Sequence, residues 1–175
     1  MSDLFERVTG DQDVFKKLAS HIPGFSGYIE RQNRRASDKL LRETVADRFE
    51  VQWKRISAIQ TDMVSQGMIA FIDEMEKAAI QLRTFIDKIR TAAYGYSGFF
   101  DAVKINENEL AQLYAFDSAF FDFAEQIARA IDNVESSLGD ETALPAAIRN
   151  LIGISRQAIE TFNKRSEAIT GGVKE

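Results

Sequence analysis

Along residues 31–42 the chain reads Arg31-Gln32-Asn33-Arg34-Arg35-Ala36-Ser37-Asp38-Lys39-Leu40-Leu41-Arg42, five basic residues against one acidic. At about 100° per residue, Arg31, Arg34, Arg35, Asp38 and Arg42 share one face of a helix. Guanidinium groups gathered in this way hold carboxylates or other oxyanions through paired N–H donors. The same rotation brings Val45, Phe49 and Ile56 onto that face further along. A straight helix would therefore turn these arginines toward the protein interior, where they require carboxylate partners.

Two stretches supply such partners. Asp117 stands four residues after Leu113 and three before Phe120, inside an apolar stripe. The connection Tyr94-Gly95-Tyr96-Ser97-Gly98-Phe99-Phe100-Asp101-Ala102-Val103-Lys104-Ile105 is aromatic yet punctuated by glycine, the composition of a packed plug or a binding loop. Folding the chain about Gly67 sets residue 35 opposite about residue 97, so the basic face, this loop, Asp101 and Asp117 meet at one end of the molecule. Two readings follow. In one, the arginines pair with Asp38, Asp101 or Asp117 and clamp the loop across that end. In the other, Arg34, Arg35 and Lys39 donate charge to an anion or peptide between walls of Tyr94 and Tyr96. The candidate binding residues are Arg31, Arg34, Arg35, Asp38, Lys39, Arg42, Tyr94, Tyr96, Asp101, Lys104 and Asp117.

Other chemistry is narrowed by what the chain lacks. It has no Cys and one His, His21, so a disulfide framework, a thiolate metal site and a cysteine nucleophile are excluded. A His-based triad is disfavoured, and neither a metal nor a cofactor is implied. Gly95-Tyr96-Ser97-Gly98 lacks the Lys and the preceding strand of a phosphate cradle. A net charge of -5 argues against nucleic acid as a partner. Apolar runs are too short to cross a membrane and the first residues lack the basic start of a signal peptide, so a cytoplasmic location is expected. His21 reads as a helix-end or packing residue rather than a ligand.

The elements that must position these residues are helices. With two Pro in 175 residues, long stretches are free of breakers. One helix is expected from about Tyr28 to Val64, with Ser26 as an N-cap, interrupted at Gln66-Gly67. Met68, Phe71, Met75, Ala79, Leu82, Ile86, Ile89 and Ala93 form the stripe of a second helix, ending near Tyr94. A third opens at Asn106 with Glu109 completing a capping box, and Gly139 ends it. A fourth begins between Thr142 and Pro145 and carries Leu144, Ile148, Leu151, Ala158, Phe162 and Ile169. Phe121 and Phe123 widen the third stripe, giving either a thick core or a second interface. The fold expected is all-α, an antiparallel four-helix bundle over residues 23–171. Residues 1–22 form one or two short amphipathic turns before it, and residues 172–175 are a tail.

At Pro23-Gly24-Phe25-x-Gly27-Tyr28, Arg34-Arg35-x-x-Asp38-Lys39-Leu40-Leu41-Arg42 and Tyr94-Gly95-Tyr96-x-Gly98-Phe99-Phe100-Asp101-Ala102-Val103-Lys104, the chain resembles an uncharacterised group of bacterial all-helical proteins. The likeness covers roughly residues 23 to 117 and implies a fold but no activity. A weaker, architectural likeness is to coiled coils of the phage-shock-protein A type. Because no nucleophile, base and orienting group can be named together, the function expected is that of a non-enzymatic interaction or scaffold protein, with the basic and aromatic end as its surface and a protein partner or self-association. A membrane-associated stress or envelope protein with weak peripheral contact, and a small-ligand or anion sensor, are the alternatives.

Overall fold

The computed structural model describes residues 2–92, 98–102 and 105–171, with side-chain surroundings from residue 12 onward. It is all-helical, with no strand among the described residues. Five helices pack together: α1 (Ser2–His21), α2 (Arg34–Ser65), α3 (Ile72–Thr91), α4 (Glu107–Ser136) and α5 (Ala143–Gly171). Short 3-10 turns precede α2 at Arg31–Asn33 and α3 at Ile69–Phe71.

The stripes read from sequence form the core. Met75, Ala79, Leu82, Ile86 and Ile89 of α3, Leu113, Phe120, Ala124, Ile127, Ile131 and Val134 of α4, and Leu144, Ile148, Leu151, Ala158, Phe162 and Ile169 of α5 are all buried. Gly67 turns the chain between α2 and α3 with φ 75°, a backbone state that other residues enter at a cost. The start of α4 follows its sequence signal: the Asn106 side chain accepts from the Glu109 N–H at 2.8 Å, and the Glu109 carboxylate accepts from the Asn106 N–H at 3.2 Å. At α5 the orphan amides of Thr142 and Ala143 are taken by the Asp140 carboxylate, both at 3.0 Å.

Helix α2 packs on α3 and α4, and α5 packs on the same two helices, while α1 lies on α4. Within each hairpin the helices run in opposite directions. Arg42 reaches the carbonyls of Ile89 and Arg90, and Gln60 reaches Glu76. Arg165 meets Asp117, and Phe162 meets Phe120. Between the hairpins the neighbours α2 and α4 run the same way: Arg165 joins Asp38 to Asp117, while Arg55 reaches the Ala128 carbonyl and Asp132. The expectation of antiparallel neighbours therefore holds inside each hairpin and changes between them. The connection from 92 to 106 is long enough to carry the chain across to a non-adjacent position, which a short loop would not allow.

Three expectations about the elements are corrected. Residues before Pro23 form one helix rather than isolated turns, because Gly10 is its only breaker and tertiary contact compensates a single helical glycine. Its described part packs Phe15 against Phe25 and Tyr114 and pairs Lys17 with Asp122 at 2.9 Å. His21 ends α1 and stacks on Phe121, 4.7 Å between ring centres. The extra width of the α4 stripe at Phe121 thus serves α1. Helix α2 starts at Arg34, not Tyr28, and Ser26 does not cap it: its hydroxyl lies 3.3 Å from that of Ser37. The chain from 23 to 30 instead crosses the end of the packed helices, with Tyr28 fully buried.

Candidate functional site

The end of the molecule where α2 begins holds two charged regions, one inside and one on the rim. Arg34, Asp38 and Arg42 recur every four residues on α2 and are buried. Arg42 Nε donates to Asp38 Oδ2 at 2.7 Å, and its Nη1 caps the last carbonyls of α3, Ile89 at 3.1 Å and Arg90 at 3.0 Å. The other Asp38 oxygen accepts from Arg165 Nη2 at 2.9 Å. Arg165 Nε donates to Asp117 Oδ1 at 2.8 Å, and the Tyr28 hydroxyl donates to Asp117 Oδ2 at 2.7 Å. Tyr28 is held in turn by its own N–H, which donates to the Tyr114 hydroxyl at 3.1 Å.

Every carboxylate oxygen of this network is used, and the two aspartates face two guanidinium groups. The charge is balanced where the side chains are buried, the condition for an enclosed ionic cluster to persist. Burial still pushes Asp117 up to about 6, against the pull of Arg165 and of the Tyr28 hydroxyl. Burial, and next the Asp117 charge, raise Tyr28 well above the ordinary phenol value. Asp117 and Arg165 are wholly enclosed and Asp38 and Arg42 nearly so. The network joins the chain after α1 to four helices and reads as a clamp.

Arg34 is also buried but is held by carbonyls: Tyr28 O from Nε at 2.8 Å, Ala102 O from Nη1 at 2.6 Å, and Ile29 O from Nη2 at 3.5 Å. It fastens the two loops at this end to each other. Desolvation, and next the charge of Arg31, lower its pKa.

The rim is different. Arg31, Arg35 and Lys39 are exposed, and for Arg31 and Arg35 this departs from the single inward face read from sequence. The cause is local. Arg31 lies in the 3-10 turn, whose phase of three residues per turn breaks the helical rotation. Arg35 lies in the first turn of α2, beyond the layer of packed side chains, and Lys39 lies one turn further on the outer side, 3.9 Å from Glu43. Arg35 Nη2 donates to Asp101 Oδ2 at 2.8 Å, with both side chains more than half exposed. That bond holds the Asp101 carboxyl below its usual range. Residue 35 and the aromatic connection therefore do meet. Beside them opens a cleft of about 640 Å³ lined by Glu30, Arg31, Gln32, Arg35, Phe100 and Asp101.

Tyr94, Tyr96 and Lys104 lie outside the described residues. The expected pairing of Asp117 with the arginines of α2 is corrected: its guanidinium is Arg165. Arg165 was the residue missed by pattern reading, although its signal is present. It stands three after Phe162 and four before Ile169, an apolar stripe position filled by a charge, as Asp117 is in α4. Comparison with protein-family models, with curated proteins and with solved structures finds no match to this chain.

Proposed function

We propose that this protein is a non-enzymatic interaction module, an adaptor or scaffold that engages a protein partner through the rim where α2 begins. The scaffold on this reading is a four-helix bundle, α2 to α5, braced by α1 along α4. The observation that carries the proposal is the open cleft of about 640 Å³ bounded by Arg31, Arg35, Phe100 and Asp101. An exposed arginine pair on an open cleft, with the buried Phe100 as its floor, is a composition that contact surfaces favour. Two further features support it. Ile29 is 70% exposed beside the cleft, an apolar contact available to a partner. The loops that form the cleft are fastened from beneath by Arg34, so binding would order little additional chain. The carboxylates of Asp38 and Asp117 are enclosed and balanced by guanidinium groups, which favours a structural role for them over general acid–base work.

The test is retention of partners by the tagged full chain from its own cells under mild cross-linking, compared with an Arg31→Gln, Arg35→Gln variant of equal melting temperature. Loss of one near-stoichiometric protein in the variant supports the module and locates its surface. Identical retention by both proteins removes the rim from consideration.

A further inference from the structure

The rim carries one exchangeable bond. Arg35 and Asp101 meet through a single N–H···O contact between side chains that are both more than half exposed, so solvent competes for each group and the pair opens readily. Arg31 lies on the same cleft and makes no ion pair among the described residues, although its charge acts on both Asp101 and Arg34. Arg34, directly behind, is satisfied by carbonyls alone, so its positive charge has no carboxylate neutralising it among the described residues. Three guanidinium groups thus stand within two turns, with Asp101 the one carboxylate bonded to any of them among the described residues. Glu30 also lines the cleft, but its carboxylate accepts from the Asn33 amide at 3.0 Å and the Gln32 amide at 3.4 Å rather than from an arginine.

Resting on the module reading, we infer that the cleft takes a carboxylate side chain of an acidic peptide segment onto Arg35, in the place that Asp101 fills in the free protein, with Arg31 as the second cation. The chemistry is an exchange of like for like. Arg35 gives up one carboxylate for another, and the incoming group adds the attraction of Arg31 that Asp101 receives only from a distance. The class is set by the mixed lining. Glu30 and Asp101 repel a compact dianion such as phosphate more than a single carboxylate, and a peptide spaces its charges and lays apolar and amide groups against Ile29 and Gln32. An open cleft rather than an enclosed cavity admits a chain that continues past the site. Asp101 acts as an internal place-holder that sets the affinity.

The experiment is an NMR titration of the full chain with a short glutamate-rich peptide carrying one leucine and one phenylalanine. Its glutamine counterpart and inorganic phosphate serve as the other arms. The acidic peptide is expected to shift the Arg35 side-chain Nε–H and the amides of Gln32 and Asp101 saturably, and the glutamine peptide to leave them in place. Asp101→Asn removes the competitor while keeping the side chain's size, and should tighten binding by about threefold or more, whereas Arg35→Gln should weaken it by about tenfold. Unchanged or weaker binding in Asp101→Asn overturns the place-holder. Equal shifts from phosphate assign the cleft to small oxyanions instead. Absence of saturable shifts in both the unaltered protein and Asp101→Asn overturns the acidic class. If the cellular partner is still lost in the Arg31→Gln, Arg35→Gln variant, the module reading survives that failure.

Discussion

The clamp around Arg165 and the pair of Arg35 with Asp101 lie at the same end of the molecule and are built from the same two chemical groups, yet they do opposite things. Inside, two aspartates and two arginines are buried with every carboxylate oxygen bonded, so each member is held by the others. On the rim, one bond joins two solvated side chains, so either can leave. Burial rather than residue type decides whether a guanidinium–carboxylate contact acts as a rivet or as a latch.

The comparison is broken most severely from the inside. Arg165→Met leaves Asp117 without a guanidinium and Asp38 with one bond fewer, and a loss of about 3–5 kcal/mol of stability is expected in chemical denaturation. Adding Asp117→Leu to that variant removes the stranded charge and leaves the Asp38–Arg42 pair balanced, so part of the loss should return. No recovery would show that the network is held by geometry rather than by charge balance. Next comes Gly27→Ala. Gly27 has φ 77°, and an added Cβ would run into the Tyr114 hydroxyl and come within 2.8 Å of Phe15. A loss above about 1 kcal/mol, read from the thermal melt, is expected because both the backbone state and the space are refused.

Acidity separates the two regions by sign. Asp117 is raised to about 6 in the folded chain, so its contribution to stability is complete below the unfolded carboxyl value and is lost as pH rises through about 6. Between pH 7.5 and 5 the unaltered protein should gain about 1 kcal/mol relative to Asp117→Asn, in denaturant melts at each pH. Asp101 is lowered, so whatever its pair contributes is present above the unfolded carboxyl value and disappears as pH falls through the lower folded one. The smallest effect is the coupling of Arg35→Ala with Asp101→Ala. A double-mutant cycle should find the two changes nearly additive in stability while each alters peptide binding. Strong coupling in stability would make the rim pair a second rivet.

Sequence patterning made the core legible because a helix in water must bury one stripe, and the stripes of α3, α4 and α5 can be counted off in threes and fours. The cap at Asn106 was equally legible, being a local rule satisfied by local residues. What escaped depends on tertiary phase. Angle along an ideal helix groups Arg31 and Arg35 with Arg34, but a 3-10 turn and the end of the packed layer separate them. Arg165 escaped because a long side chain at a stripe position can carry its charge out to solvent, whereas the short Asp117 cannot. Asp117 and Arg165 are the same kind of violation on facing helices, and two such exceptions predict each other.

The Arg165 contacts also order events during synthesis of the chain. Asp38 and Tyr28 emerge early, and the guanidinium that meets them comes 127 and 137 residues later. Until then the aspartates at 38 and 117 have at most Arg42 between them and favour water over a closed core. A chain cut before α5 would lack the Arg165 guanidinium and leave Asp117 with only the Tyr28 hydroxyl, so its packed state should be less stable than that of the chain with α5. Through Arg165, α5 joins carboxylates of α2 and α4 that would otherwise be short of a guanidinium, so the ends of the sequence are tied into one buried network.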